Sequence, residues 1–174
     1  MLIFSGVVAA AYTVLIAVQR QSSGIQAREL SVGNARVALA QMDRQIRSGN
    51  VLYDPATEVL PLSMRVYTQA NGDERCVQWQ VFDGTLRTRS WSPSWRTDGK
   101  VSGWTTVAHG LRNTTSPFSL QGGSTPYSSR LVDIRLLVRG PRSGERPTEV
   151  QTSLSGRNTL YGYDPGVCSP APTA

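Results

Sequence analysis

The sequence predicts an α+β protein: one long N-terminal helix packed on an antiparallel β-sheet domain. Three observations predict it. An uncharged apolar run covers Met1 to Val18, a heptad rhythm follows it directly, and the remainder is rich in Gly and Pro with alternating apolar residues.

At 1.5 Å rise per residue the apolar run makes about 27 Å of helix, close to the hydrocarbon thickness of a bilayer. Residues 1–18 are therefore expected to be a transmembrane or filament-core half-helix. Residues 19–49 read as an amphipathic helical stalk. Ile25, Val32, Leu39 and Ile46 recur every seven residues, with Ala35 and Met42 between them, and these six form one packing seam. Arg44 and Arg47 suit the negative end of a helix dipole, and Gly49-Asn50 offers a left-handed cap. The helix should span about 45 residues, or roughly 70 Å. A small domain needs no such length for its own core, so the first half is expected to bury its apolar surface in lipid or against other chains.

Residues 50–174 leave about 125 residues for one C-terminal antiparallel β-domain. The run Leu62 to Ala70, then Asn71-Gly72, then Arg75 to Phe82 reads as a hairpin, because both central residues of a type I′ turn need positive φ. Asp83-Gly84 repeats the signal, and Thr85 to Trp91 completes a meander. Val77, Trp79 and Val81 share the face expected to pack on the helix seam; Cys76, Gln78, Gln80 and Phe82 share the other. Ser92 to Ser102 is a turn-rich excursion, and Gly103 to Ala108 is extended. Gly110 to Gly123 is mainly loop, with Phe118 and Leu120 as inward anchors. Ser128 to Val138 and Thr148 to Ser155 are later strands, joined by the polar connection Gly140 to Pro147.

The formal charge is +6. Between Arg20 and Arg47 five Arg face Glu29 and Asp43, and from Asn50 onward 13 basic side chains face 10 acidic ones. Half of the excess thus lies on the helix. No dense basic block with interleaved aromatics tracks a phosphate backbone. Nucleic acid stays the lesser partner reading, and it requires Arg75, Arg87 and Arg89 to converge on one exposed face.

Catalytic patterns are absent. His109 is the only histidine, and no Walker loop, dinucleotide fingerprint, Gly-x-Ser-x-Gly or His-Glu-x-x-His occurs. Asp73-Glu74 falls in a hairpin turn, where solvated carboxylates outnumber acid/base pairs. The chain is expected not to be an enzyme and to take no cofactor, metal or small-molecule substrate. Trp79, Trp91, Trp95 and Trp104 read as core area rather than a ligand cluster. Asn113-Thr114-Thr115 matches a glycosylation sequon. Cys76 and Cys168 match no zinc spacing; a disulfide between them would place the domain outside the cytoplasm, the alternative being two buried thiols.

With the apolar start, Gln19-Arg20-Gln21-Ser22, the block Asn34 to Asn50 and the Cys76 to Arg87 hairpin, the chain resembles type IV pilin-like proteins, in particular the minor pilin or pseudopilin group related to pilus-assembly protein PilW. The resemblance implies a structural subunit of a type IV pilus or type II secretion-like filament. Its partners would be other pilin subunits and the assembly machinery, and its roles assembly, adhesion or DNA uptake. It implies a single-pass cell-membrane protein, held through residues 1–18 with its C-terminal domain extracytoplasmic, that joins a surface filament on assembly. Such proteins carry a basic leader ending in Gly, then Phe and soon Glu; no match to it stands here, so no processing residue is carried over and Met1 is expected to be an internal Met of a longer frame. The rival reading is a signal-anchored extracytoplasmic binding domain that does not polymerise.

Overall fold

The computed structural model describes residues 2–122, 130–140, 146–157, 159 and 162–173, with only the backbone for 2–10, 27, 28 and 71. Helix α1 runs Leu2–Arg47, 46 residues without a break. Its last turn is fixed by polar contacts: Arg47 Nε donates to Asp43 at 2.7 Å, and Ser48 Oγ donates to the Arg44 carbonyl at 2.8 Å. The left-handed cap expected at Gly49-Asn50 does not form. The chain passes straight into strand β1 (Gly49–Leu52), and glycine is required because a Cβ at 49 would sit 2.8 Å from the Ile46 carbonyl.

Among the described residues two antiparallel sheets follow. The first has the order β1-β2-β3-β4-β5, adding β2 (Ser63–Thr68), β3 (Arg75–Phe82), β4 (Thr85–Trp91) and β5 (Thr105–His109). The second is β6 (Phe118–Leu120), β7 (Leu131–Val138) and β8 (Thr148–Ser155). The β2–β3 connection is a longer loop holding a 3-10 turn at Ala70–Gly72 rather than the two-residue turn expected at Asn71-Gly72. The type I′ geometry appears instead at Asp83-Gly84, with φ of 46° and 67° between the paired Phe82 and Thr85. Ser92 to Ser102 includes one short helical turn, α2 (Trp95–Asp98). Ser128, Ser129 and residues 141–145 of the expected strand and connection lie outside the described residues.

The seam does its packing in its C-terminal half. Ala35, Leu39, Met42 and Ile46 are buried and Val32 is half-buried. They meet Met64, Val66, Val77, Trp79 and Val81 of the first sheet and Val132, Ile134 and Leu154 of the second. Fully buried Ala35 and Ala38 let the backbone of α1 approach both sheets closely, and each large side chain removed from water contributes roughly 1.5–3 kcal/mol. Ile25 departs from the expected seam. It is 51% exposed.

The transmembrane reading of the first half is overturned: among the described residues no helix is long and apolar enough to cross a membrane. The run before Ala11 lies outside the residues whose side chains are described.

Candidate binding face

The polar residues gather on the face of the first sheet turned away from α1. Strand alternation puts Arg65, Gln78 and Arg89 in one cross-strand row, and Ser63, Gln80 and Arg87 in the next. In the first row Glu58 receives Arg65 Nε on both oxygens, at 2.7 and 2.9 Å. Gln78 Oε1 accepts from Arg89 Nε at 3.0 Å and Nη2 at 2.8 Å. In the second, Gln80 Oε1 accepts from Arg87 Nε at 3.1 Å and Nη2 at 2.7 Å. Gln78 and Gln80 are buried, as is Arg89 at 4% exposure.

Aromatic rings frame these cations. Arg65 lies 4.5 Å from the Tyr53 ring centre. Arg87 lies between Phe82 at 4.1 Å and Trp104 at 4.3 Å. Arg89 is 4.6 Å from Trp104 and 5.5 Å from Trp91. Such contacts stabilise a guanidinium by electrostatic attraction to the ring face.

The C-terminal segment crosses this face as a strap. Arg65 Nη1 donates to the Cys168 carbonyl at 2.9 Å, Arg89 Nη2 donates to the Pro172 carbonyl at 2.8 Å, and the Cys168 amide donates to Tyr53 Oη at 3.1 Å. The Cys76–Cys168 disulfide, with its Cα atoms 5.7 Å apart, tethers the strap to β3 and decides against two free thiols. Tyr67, Cys76, Trp91 and Cys168 form a small buried cluster around it.

The charges on this face do not balance. Glu58 serves Arg65, and burial raises its pKa above the ordinary range against the opposing pull of Arg65. Arg87 and Arg89 have no carboxylate within ion-pair distance among the described residues. Burial lowers the pKa of both, and the charge of Arg87 lowers that of Arg89 further. Two indole N–H groups on the same side, Trp91 Nε1 and Trp104 Nε1, are buried without a hydrogen-bond partner.

The other candidates fall elsewhere. Arg75 does not converge with Arg87 and Arg89; it pairs with Asp73 at 2.9 Å on an exposed turn. Glu74 accepts from the Gln69 amide at 2.9 Å, so Asp73 and Glu74 each serve a different neighbour. His109 is exposed at the end of β5. Trp79 is core, its Nε1 donating to Gln45 Oε1 at 2.7 Å. Asn113 of the sequon bridges β7, donating to the Arg135 carbonyl and accepting from the Leu137 amide. Among the described residues no cluster of three metal-ligating side chains occurs. Sequence reasoning missed Tyr53, Glu58, Arg65 and the roles of Gln78 and Gln80. The available signal was Gln at alternate positions of β3 opposite Arg at alternate positions of β4.

No protein-family model matches the chain, and no curated protein matches it.

Proposed function

We propose that the chain is a structural subunit of a filament of the minor pilin or pseudopilin kind, with the free part of α1 packed among the helices of neighbouring subunits and the two-sheet domain displayed outside. The observation that carries this reading is the mismatch between helix and domain. The sheets cover α1 from about Val32 to Ile46, while Tyr12, Val14, Leu15, Val18, Ile25 and Leu30 stand 51–69% exposed on the remainder. An unsupported helix with that much apolar surface gains stability only when other chains cover it. The disulfide supports an extracytoplasmic home for the domain. Other subunits and assembly machinery would be its partners. The second reading, an extracytoplasmic binding domain that does not polymerise, draws on the unbalanced arginine face.

The test compares sheared surface fractions, by immunolabelling and electron microscopy, from cells making the tagged chain and the tagged Leu15→Glu/Val18→Glu variant. Labelled filaments for the first and none for the second are expected. A wild-type chain that sediments as a monomer and never enters the sheared fraction would overturn the proposal in favour of the second reading.

A further inference from the structure

We propose that the Arg87–Arg89 side of the outer sheet face is a docking site for an extended peptide segment that carries a carboxylate, with the chain's own Ser169–Thr173 strap as its resting occupant. Three observations carry this. First, the site already holds peptide: a buried guanidinium reads the Pro172 carbonyl, and Pro172 is itself buried against the face. Recognition through the main chain accepts any segment with a carbonyl at that position and small or proline side chains beside it. Second, the described strap residues Ser169–Thr173 supply a neutral carbonyl, whereas Arg87 and Arg89 bring two positive charges and no acidic group reaches them among the described residues. Buried charges are ordinarily paired, and a carboxylate is a stronger acceptor for a guanidinium than a carbonyl. Third, Trp91 Nε1 and Trp104 Nε1 are buried donors without acceptors on the same side. Among the described residues the deficit on this face is therefore one of acceptors, and negatively charged ones.

The disulfide limits how the strap can yield. Cys76 and Cys168 are 0% and 1% exposed, out of reach of an external thiol, so the tether holds and only the part beyond it can lift, by giving up the Arg89–Pro172 hydrogen bond. The strap thus competes from within, and weakening it should strengthen capture of an added segment. The proposal does not depend on filament formation.

The experiment is fluorescence anisotropy on the full chain with two labelled, C-terminally amidated hexapeptides, Ser-Ser-Pro-Ala-Pro-Thr, which copies residues 168–173 with Ser in place of Cys168, and Ser-Ser-Pro-Asp-Pro-Thr. The acidic peptide should bind at least tenfold more tightly than the neutral one, and the preference should shrink as salt rises. Arg87→Gln, at a half-buried position that folding tolerates better than buried Arg89, should abolish the preference. Pro172→Gly, which loosens the strap, should tighten acidic-peptide binding severalfold. Equal binding of the two peptides, or none, overturns the proposal. So does tighter, Arg87-dependent binding of a six-nucleotide oligo-dT, which would make the face a nucleic-acid surface.

Discussion

Replacing both Cys76 and Cys168 by Ala tests how the strap contributes to stability. The bond closes a loop with a sequence separation of 92 residues. In the loop-entropy treatment that closure restricts the unfolded chain by about 4.6 kcal/mol at 25 °C. With an unfolding entropy near 2.1 cal/mol/K per residue, that loss lowers Tm by roughly 15 °C for a domain of this size. The native strap should stay in place, because the Arg65 and Arg89 hydrogen bonds to it do not pass through sulfur. The effect therefore belongs to the unfolded state. Urea titration followed by circular dichroism reads both consequences, a lower midpoint and a steeper m-value as the unlinked chain exposes more surface. A loss under about 1 kcal/mol with an unchanged m-value would refute the loop argument.

Gln45→Leu leaves the fully buried Trp79 indole without its acceptor and should cost about 1–3 kcal/mol in urea unfolding, a loss that largely disappears in a Trp79→Phe background. Gly84→Ala forces a side chain onto φ of 67° and brings its Cβ to 3.3 Å from the Leu111 carbonyl, so thermal melting should show a loss of about 1 kcal/mol or more. Hydrogen bonds from Ser153 and Gln121 hold Asp133 below the ordinary carboxylate range. A carboxyl depressed in the folded state stabilises above its unfolded pKa and loses that contribution as pH falls through the folded one. Acid titration of stability should therefore show a shallower decline below about pH 4 for Asp133→Asn than for the parent chain.

The elements governed by local pattern were legible in the sequence. Strand β8 falls on Thr148–Ser155 as expected, and Val77, Trp79 and Val81 pack inward because alternation and helix period are properties of neighbouring residues. The binding face was hidden for the opposite reason. Gln78 and Gln80 look like solvent-facing positions until Glu58, Pro61 and Ser63 from before β3 and Arg87 and Arg89 from β4 close on their amides, and no periodicity in β3 encodes those partners. The division into two sheets was equally silent, since it depends on where the chain leaves β5 and re-enters at β6. The membrane reading is corrected by the structure: among the described residues no helix is long and apolar enough to cross a membrane.

The direct passage from α1 into β1 and the sulfur link from β3 to the strap together set how the molecule would respond to mechanical tension. A pull on the helix enters the sheet through Gly49 with no compliant linker. If the molecule is held by its strap, the link carries the load from Cys168 to Cys76 and bypasses everything between them. Outside α1, only the segment from Ser48 to Cys76 can then unravel before the link is reached, which bounds its extension at about 95 Å for a fully stretched chain. Beyond that limit the covalent chain and its sulfur link bear the force. The molecule would behave as a short tether with a hard stop.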